Sequence, residues 1–200
     1  KPLTVYSKAN RNAEIDNLLL NDDDFTVTIL RFSSVYGKSP RMRFDTAVNC
    51  MLLDLFKNNK ISVRGKSNKR PFIHVKDVMQ AYLLTITAEK DKIAGQIFNV
   101  GSENQNYQMG TLANEIAKTF DTKCEIELSD TNDHRSYFAS FKKIHDAIGF
   151  STKYTVKDGV KELHEALTTG ELTDSIKTRT VDWYKELLTN KDLKKQFLMN

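Results

Sequence analysis

The sequence predicts an α/β fold, because short segments rich in β-branched residues alternate with longer segments of helical periodicity. Residues 25–31 read Phe-Thr-Val-Thr-Ile-Leu-Arg and residues 96–101 read Gln-Ile-Phe-Asn-Val-Gly, and both are typical of strands. Between them, residues 44–56 carry apolar side chains three and four positions apart, as a helix packed against a sheet requires. Strands and helices that alternate in this way are typical of a largely parallel sheet.

The other elements follow from the same two periodicities. A helix is predicted over residues 9–20, and the polar residues 21–24 end it. Asp77 is expected to act as the N-cap or as a first-turn acid of the helix that follows a short strand at 72–75. The remaining strands are predicted at 61–65 and 124–128, and the remaining helices at 76–87, 111–120, 141–148, 156–168 and 183–197.

Composition excludes several classes of function. The 30 basic and 26 acidic residues leave a net charge of +4, and the lysines are scattered, whereas nucleic-acid binding usually requires a focused basic stripe. No apolar segment approaches the roughly 20 residues of a membrane helix, and no signal-peptide pattern is present. Cys50 and Cys124 are far apart, which favours reduced thiols in a cytoplasmic protein. Histidine and cysteine spacing predicts no metal site.

Four segments carry the chemistry, in a fixed order. Tyr6 and Asn10 are four residues apart at the start of the first helix. Residues 30–37 read Leu-Arg-Phe-Ser-Ser-Val-Tyr-Gly, residues 70–78 read Arg-Pro-Phe-Ile-His-Val-Lys-Asp-Val, and residues 98–101 read Phe-Asn-Val-Gly. Together, the four segments resemble the extended short-chain dehydrogenases/reductases, and specifically the NAD-dependent nucleotide-sugar epimerases and dehydratases. Any one segment alone would be a weak signal.

The resemblance implies the C-terminal part of a Rossmann-type doubly wound sheet plus a small α/β substrate-binding lobe. Residues 1–40 would form the last part of the NAD-binding domain, and residues 41–200 mainly the lobe, with short returns to the Rossmann domain near 70–101. The strand at 25–31 is apolar on both sides and requires neighbours that residues 1–24 do not supply. In relatives, a glycine-rich loop precedes the tyrosine. We therefore expect a longer protein whose other half binds most of the NAD or NADP.

By resemblance, Tyr6 occupies the slot of a catalytic acid/base, and Asn10 stands where the family has lysine. A tyrosine phenol loses its proton near pH 10 in water, so its anion must be stabilised by nearby positive charge to act at neutral pH. Asparagine offers a hydrogen bond to a ribose hydroxyl but no charge. Lys8 does not replace the missing lysine, since two residues along a helix correspond to about 200° of rotation.

The other site residues also follow from the resemblance. Ser33 and Val35 are expected to flank the nicotinamide, as cofactor-binding residues together with Tyr6 and Asn10. Arginine suits a pyrophosphate, because its planar fork makes paired, charge-assisted hydrogen bonds to phosphate oxygens. The implied substrate-binding residues are Ser34, Arg43, Val63, Arg70 and Arg135. His74, which lies in an alternating strand, is expected to be structural.

The implied function is NAD(P)-dependent epimerisation or dehydration of a nucleotide-diphosphate sugar through a transient keto-sugar. The resemblance also implies a homodimer, to whose interface the helix at 9–20 contributes. Two alternatives stay open. Asn10 is consistent with a catalytically impaired protein that binds sugar nucleotides. The absence of the glycine-rich loop from these residues is consistent with a partner subunit that completes another chain's sheet.

Overall fold

The computed structural model describes residues 2–120, 123–131, 136–190, 193 and 195. Its strands are β1 (Thr28–Phe32), β2 (Ser34–Tyr36), β3 (Lys60–Arg64), β4 (Lys69–His74), β5 (Gln96–Val100), β6 (Asn106–Gln108) and β7 (Glu125–Ser129). Its helices are α1 (Val5–Leu18), α2 (Ala47–Asn58), α3 (Val75–Thr87), α4 (Lys90–Ile93), α5 (Met109–Thr119), α6 (Lys142–Ile148), α7 (Val156–Thr168) and α8 (Thr180–Thr189). Short 3-10 turns lie at Glu103–Gln105 and Ile176–Thr178.

The strands form three small sheets. β1 pairs in parallel with β5, from Thr28 opposite Gln96 to Phe32 opposite Val100. β2 pairs in parallel with β4, and β4 pairs antiparallel with β6 on its other side. β3 pairs in parallel with β7. The predominance of parallel pairs and the intervening helices confirm the α/β prediction.

Two apolar cores stabilise the molecule. The larger core joins α2, α5 and α7 to β3, and its fully buried members include Leu52, Ile61 and Leu163. The smaller core lies around β5, α3 and α6, with Phe98 and Ile144 fully buried. The larger core therefore joins β3 both to α2, which precedes it directly in sequence, and to α7, which lies far from it.

Side-chain hydrogen bonds shift two predicted boundaries. Helix α1 begins at Val5, four residues earlier than predicted, because Thr4 and Ser7 form a capping box in which each side chain accepts from the other residue's backbone N–H. Strand β1 begins three residues later than predicted. Asn21 Oδ1 accepts from Val27 N, and Asp22 Oδ1 accepts from the backbone N–H groups of residues 24 and 25, so this stretch forms turns. The predicted helix at 183–197 begins at Thr180, and most of its last residues lie outside the described ranges.

Asp77 lies in the first turn of α3, as predicted, while His74 is the N-cap of that helix. The Asp77 side chain is fully buried, and its two carboxylate oxygens accept from Lys153 N at 2.9 Å and Tyr154 N at 3.2 Å. The carboxylate thereby fixes the segment before α7 against the start of α3.

The C-terminal segment 174–180 is tied to the loop that follows β2. Phe44 N donates to Thr178 O at 2.9 Å, and Thr180 N donates to Asp45 Oδ2 at 2.9 Å. Asp174 forms ion pairs with Arg179 and with Lys57 of α2. These contacts hold the segment against two parts of the chain more than 110 residues away.

Apolar side chains remain exposed on α1 and α3. Helix α1 buries none of its residues, and Met79, Leu83 and Ile86 of α3 are each at least 60% exposed. In the described part of the chain, no helix combines the length and apolarity that crossing a membrane requires.

We expect Asp77→Ala to lower the free energy of unfolding by about 3 kcal/mol, because it leaves two backbone N–H groups without their buried acceptor. Urea denaturation measures this loss. The control is Asp146→Ala, which removes an exposed carboxylate paired with Lys142 and should cost less than about 0.5 kcal/mol. Equal losses for the two variants would contradict the role given to Asp77.

The ion pairs of Asp174 predict acid sensitivity. The hydrogen bond from Arg179, reinforced by Lys57, lowers the pKa of the Asp174 carboxyl to about 2. A group whose pKa is lowered on folding contributes stability above its unfolded pKa, near 4, and loses that contribution as the pH falls toward 2. Asp174→Asn should therefore cost about 1 kcal/mol at pH 6, and the difference from wild type should narrow between pH 4 and pH 3. Urea denaturation across this range measures the difference in unfolding free energy, with Asp182→Asn as the control. A difference that does not change with pH would contradict the lowered pKa of Asp174.

Candidate functional site

A cavity of about 360 Å³ opens where β2 ends, and we call it the β2 cavity. It falls within the volume range of small-molecule sites in proteins. In parallel sheets such sites usually lie beyond the carboxyl ends of strands. Its lining residues are Ser34, Val35, Tyr36, Gly37, Ser39, Arg41, Arg43, Thr46, Ala47, Asn49 and Val75.

Gly37 allows the chain to leave β2 where it does. Its φ is +106°, a backbone conformation that side chains disfavour, and a Cβ there would lie 2.6 Å from His74 Nε2. Since β2 pairs with β4 from Ser34 opposite Phe72 to Tyr36 opposite His74, the turn at Gly37 lies directly over the end of β4. The turn at Gly37, which lines the cavity, therefore lies against the imidazole of His74.

Residues 41–45, which we call the arginine segment, form one wall of the β2 cavity. Met42 and Phe44 are buried in the larger core, while Arg41 and Arg43 are exposed and line the cavity. Arg43 donates to Asp45 through Nε at 2.9 Å and through a terminal nitrogen at 3.2 Å. Burial opposes ionisation of Asp45, but the hydrogen bonds from Arg43 and from Thr180 N outweigh it and lower the pKa of this carboxyl.

Asn49, on the first turns of α2, connects the two sides of the β2 cavity. Its side chain is buried, its Oδ1 accepts from Gly37 N at 3.1 Å, and its Nδ2 donates to Arg43 O at 2.9 Å. The amide therefore holds the turn after β2 and the arginine segment in one arrangement. Sequence reasoning missed Asn49, although a polar residue on the apolar side of a predicted helix was the available signal.

His74 lies beneath the cavity and is structural, as expected. Its Nδ1 accepts from Lys76 N at 3.2 Å, which leaves Nε2 to donate to Glu162 Oε2 at 3.1 Å in the neutral ring. Burial lowers the pKa of His74, and the nearby Glu162 offsets this in part. Its ring also stacks on Tyr154. The imidazole thus joins β4, α3 and α7 beneath the turn at Gly37.

Tyr6 and Asn10 line a second cavity of about 510 Å³ between α1 and β1, which we call the α1 cavity. The Tyr6 side chain is 77% exposed. A bidentate ion pair lines part of this cavity. In it, Arg31 donates to the two carboxylate oxygens of Glu14 at 2.7 and 2.5 Å. The hydrogen bond from Arg31 lowers the pKa of Glu14.

Residues that line the two cavities lie close together in the sequence between β1 and β2. Phe32 lines the α1 cavity and Ser34 lines the β2 cavity. Residues two apart in an extended strand point to the same face and are separated by about 7 Å. The structure brings Tyr6 and Asn10 together at one cavity, and Ser34, Val35 and Arg43 at the other.

Three other predicted site residues, Ser33, Val63 and Arg70, are not among the residues that line either cavity. Ser33 is buried and donates its hydroxyl to Val100 O at 3.0 Å, and Val63 is buried in the larger core. Arg70 donates to Lys69 O at 3.1 Å and lies over the ring of Tyr137, 5.6 Å from its centroid. Arg135 lies outside the described residues. The binding roles assigned to these four residues stay predictions.

Polar groups of several kinds converge on the β2 cavity. Two guanidinium groups and the hydroxyls of Ser34 and Ser39 line it, together with the start of α2, whose N-cap Thr46 makes no side-chain capping bond. Helix N-termini and arginines favour anions, and hydroxyls suit sugars. In the part of the chain that the structure describes, no group of three or more metal-ligating side chains could hold an ion.

Solved structures share this fold. A structure of RMD from Pseudomonas aeruginosa complexed with NADPH superposes with a TM-score of 0.73 at 20% identity, over 85% of this chain and 58% of that one. A UDP-glucuronic acid 4-epimerase from Bacillus cereus, in complex with UDP-glucuronic acid and NAD, gives a TM-score of 0.72 at 17% identity, over 84% and 54% of the two chains. At these identities the likeness shows the fold alone.

Sequence comparison identifies the family. A CDP-paratose 2-epimerase from Salmonella typhi is 32% identical over 156 residues, which cover 68% of this chain and 43% of that protein. The chain thus spans about half the length of the relatives it matches. The model of the NAD-dependent epimerase/dehydratase family matches residues 1–101. Because this match covers half of the chain and includes both cavity-lining stretches of β1 and β2, the protein belongs to the NAD-dependent epimerase/dehydratase family.

Proposed function

We propose that the protein takes part in the NAD(P)-dependent epimerisation or dehydration of a nucleotide-diphosphate sugar. The observation that carries this proposal is that residues two apart in sequence, Phe32 and Ser34, line two cavities, one with Tyr6 and the other with arginines and serines. Family membership supports it, as do relatives described as acting on CDP-paratose or as binding UDP-glucuronic acid with NAD.

In this proposal the nucleotide sugar lies in the β2 cavity. Ser34 would hydrogen-bond the sugar, and Arg43 would approach a phosphate or a sugar hydroxyl. Arg70 and Arg135 are proposed to bind the pyrophosphate, and Val63 to lie near the base. The guanidinium of Arg43 is exposed, which supports its role. Because Arg43 also pairs with Asp45, a bound ligand would share the guanidinium with that carboxylate.

In this proposal, NAD(P) binds near residues 32–35, between the parts of the chain that line the two cavities. The α1 cavity presents the Asn10 side chain and the exposed phenol of Tyr6 beside Phe32, a mixture of polar and aromatic groups suited to a ribose and a nicotinamide. Ser33 and Val35 would lie at the nicotinamide end. When bound, the cofactor would accept a hydride from the sugar.

Tyr6 is proposed as the acid/base that removes and returns the proton of the sugar hydroxyl. General acid–base catalysis contributes typically 10²–10⁴-fold to rate. Asn10, one helical turn from Tyr6, would orient a ribose hydroxyl but supplies no charge to stabilise a phenolate. A catalytically impaired, sugar-nucleotide-binding protein is the second candidate, and the placement of Asn10 beside Tyr6 favours it.

The same proposal extends to assembly and location. The exposed apolar residues of α1, among them Val5 and Ile15, favour a homodimer in which this helix contributes to the interface. Among the described residues, β1 pairs with one strand, β5. This favours a larger sheet, to which another part of the protein or a partner chain adds strands beside β1. Cys50 and Cys124 are both free thiols, which is consistent with a cytoplasmic location.

The first test is native mass spectrometry of the protein isolated from its source. We expect each protein chain to carry one ligand with the mass of NAD or NADP. Incubation with CDP-, UDP- and dTDP-linked hexoses, followed by chromatography, should then reveal an epimerised or dehydrated product. Absence of both the cofactor and any nucleotide-sugar binding would overturn the proposal. Binding without turnover would favour the impaired protein.

Removal of the Tyr6 hydroxyl should separate catalysis from binding. We expect Tyr6→Phe to lower kcat about 100-fold or more and to change KM less than about threefold, because the ring still fills its place while proton transfer is lost. The matched control is Tyr184→Phe on α8, an exposed tyrosine remote in sequence from both cavities. A kcat for Tyr6→Phe within threefold of wild type would refute the acid/base assignment.

Restoration of a positive charge tests Asn10. We expect Asn10→Lys to raise kcat about tenfold and to shift the acidic limb of the kcat pH profile downward, since an ammonium group one turn from Tyr6 stabilises the phenolate. Asn12→Lys makes the same substitution on the far side of α1, about 200° away, and should leave both unchanged. Equal effects of the two variants would point to a general charge effect and contradict the specific role of position 10.

A further inference from the structure

We propose that Thr180 is a positioning residue for the β2 cavity. Residues 174–180, which we call the strap, hold one wall of this cavity through the Thr180 N–H, so that docking of the strap and binding of a ligand stabilise each other. The strap lies beyond residues 1–101, to which the family model corresponds. This inference rests on the proposed function, since it adds a means of positioning to that same site.

Ion pairs close the strap on itself and tie it to α2. The strap contains the 3-10 turn Ile176–Thr178, and Arg179 reaches back over this turn to pair with Asp174 through both terminal nitrogens. Lys57, in the last turn of α2, pairs with the same carboxylate, with Nζ 2.5 Å from Oδ2. The carboxylate of Asp174 therefore connects the far end of the strap both to its near end and to α2.

The strap also holds two consecutive residues of the arginine segment. Phe44 N donates to Thr178 O at 2.9 Å. Thr180 N donates to Asp45 Oδ2 at 2.9 Å, and the same oxygen accepts from a terminal nitrogen of Arg43 at 3.2 Å. One carboxylate oxygen thus connects the backbone at the start of α8 to the guanidinium of Arg43, and its position depends on both donors.

The strap acts on the cavity from outside it. Among the described residues that line the β2 cavity, none belongs to the strap, whereas Arg43 and Thr46 line it on either side of Phe44 and Asp45. A shift of the two held residues moves this wall without removing a group that lines the cavity. Because the coupling between two equilibria is reciprocal, a ligand that needs the wall in its observed position stabilises the docked strap by the same factor.

Removal of a single N–H group tests this inference. Thr180 is the first residue of α8, a position that suits proline. Arg179 before it has φ −119° and ψ 104°, in the extended region that the residue before a proline prefers. Thr180→Pro therefore removes the donor to Asp45 and keeps the start of the helix. Thr180→Ala is the matched control, because it retains the N–H and removes the hydroxyl.

Calorimetric titration of the full-length protein measures the effect on binding, with UDP-glucuronic acid, UDP-glucose and CDP-glucose as probes. Thr180→Pro should weaken binding of the preferred probe about 3- to 10-fold, the effect of one hydrogen bond on an equilibrium. Thr180→Ala should stay within twofold of wild type. Urea midpoints of both variants show that each is folded under the conditions of the titration.

Hydrogen exchange followed by mass spectrometry supplies a second measure, which needs no turnover. Exchange at residues 43–47 should be faster in Thr180→Pro than in Thr180→Ala. In the wild type, a saturating probe should slow exchange at residues 174–180, although the strap does not line the cavity.

The outcomes separate the inference from the proposed function. In a wild-type protein that binds a probe, equal affinities of Thr180→Pro and Thr180→Ala would overturn the inference and leave the proposed function intact. A lowered urea midpoint of Thr180→Pro with unchanged affinity would also overturn it, because the strap would then only stabilise the fold. Exchange at residues 174–180 that does not respond to the bound probe would contradict the reciprocal coupling. A wild-type protein that binds none of the three probes would overturn both.

Discussion

The close approach of α7 to the ends of β2 and β4 is the constraint on which the site depends. Gly159 of α7 lies so near Tyr36 that an added Cβ would stand 2.5 Å from its ring, and Gly37 lies as close to His74. Burial raises the pKa of Tyr36, whose hydroxyl stays protonated and bonds to Gln105 Oε1 at 2.7 Å. Two glycines and two buried rings thus fix where β2 ends, and the β2 cavity opens at that end.

The charges of the site depend on a different part of the chain. Asp45 accepts from Arg43 on one side and from Thr180 N on the other, so the start of α8 determines how the arginine segment is held. The pairing of Asp174 with Lys57 of α2 and with Arg179 fixes that start in turn. The carboxylate that pairs with Arg43 at the β2 cavity is therefore held by a residue 135 positions later in the chain.

Local patterns predicted the elements well, because strand and helix periodicities are properties of short segments. The alternation at 25–31 and the helical spacing at 44–56 both correspond to observed elements, displaced by one to three residues. The family was also predictable, since its motifs are contiguous. The roles of Asn49 and Asp45 were not, because their partners Gly37, Arg43 and Thr180 are set by tertiary packing. For the same reason, the sequence could not tell that Ser33 and Val63 point into the protein.

The short stretch from Phe32 to Ser34 connects the cavity proposed for proton transfer with the cavity proposed for the sugar. A hydride and a proton must leave neighbouring atoms of one sugar, so the groups that accept them must lie within a few ångströms of each other. The lining residues Phe32 and Ser34 are two apart in sequence, which is compatible with this condition. In the proposed mechanism, Asn10 would supply a hydrogen bond but no charge beside Tyr6, whereas the proposed sugar-binding groups line the other cavity. Under that proposal, the substitution at position 10 would affect proton transfer more than sugar binding.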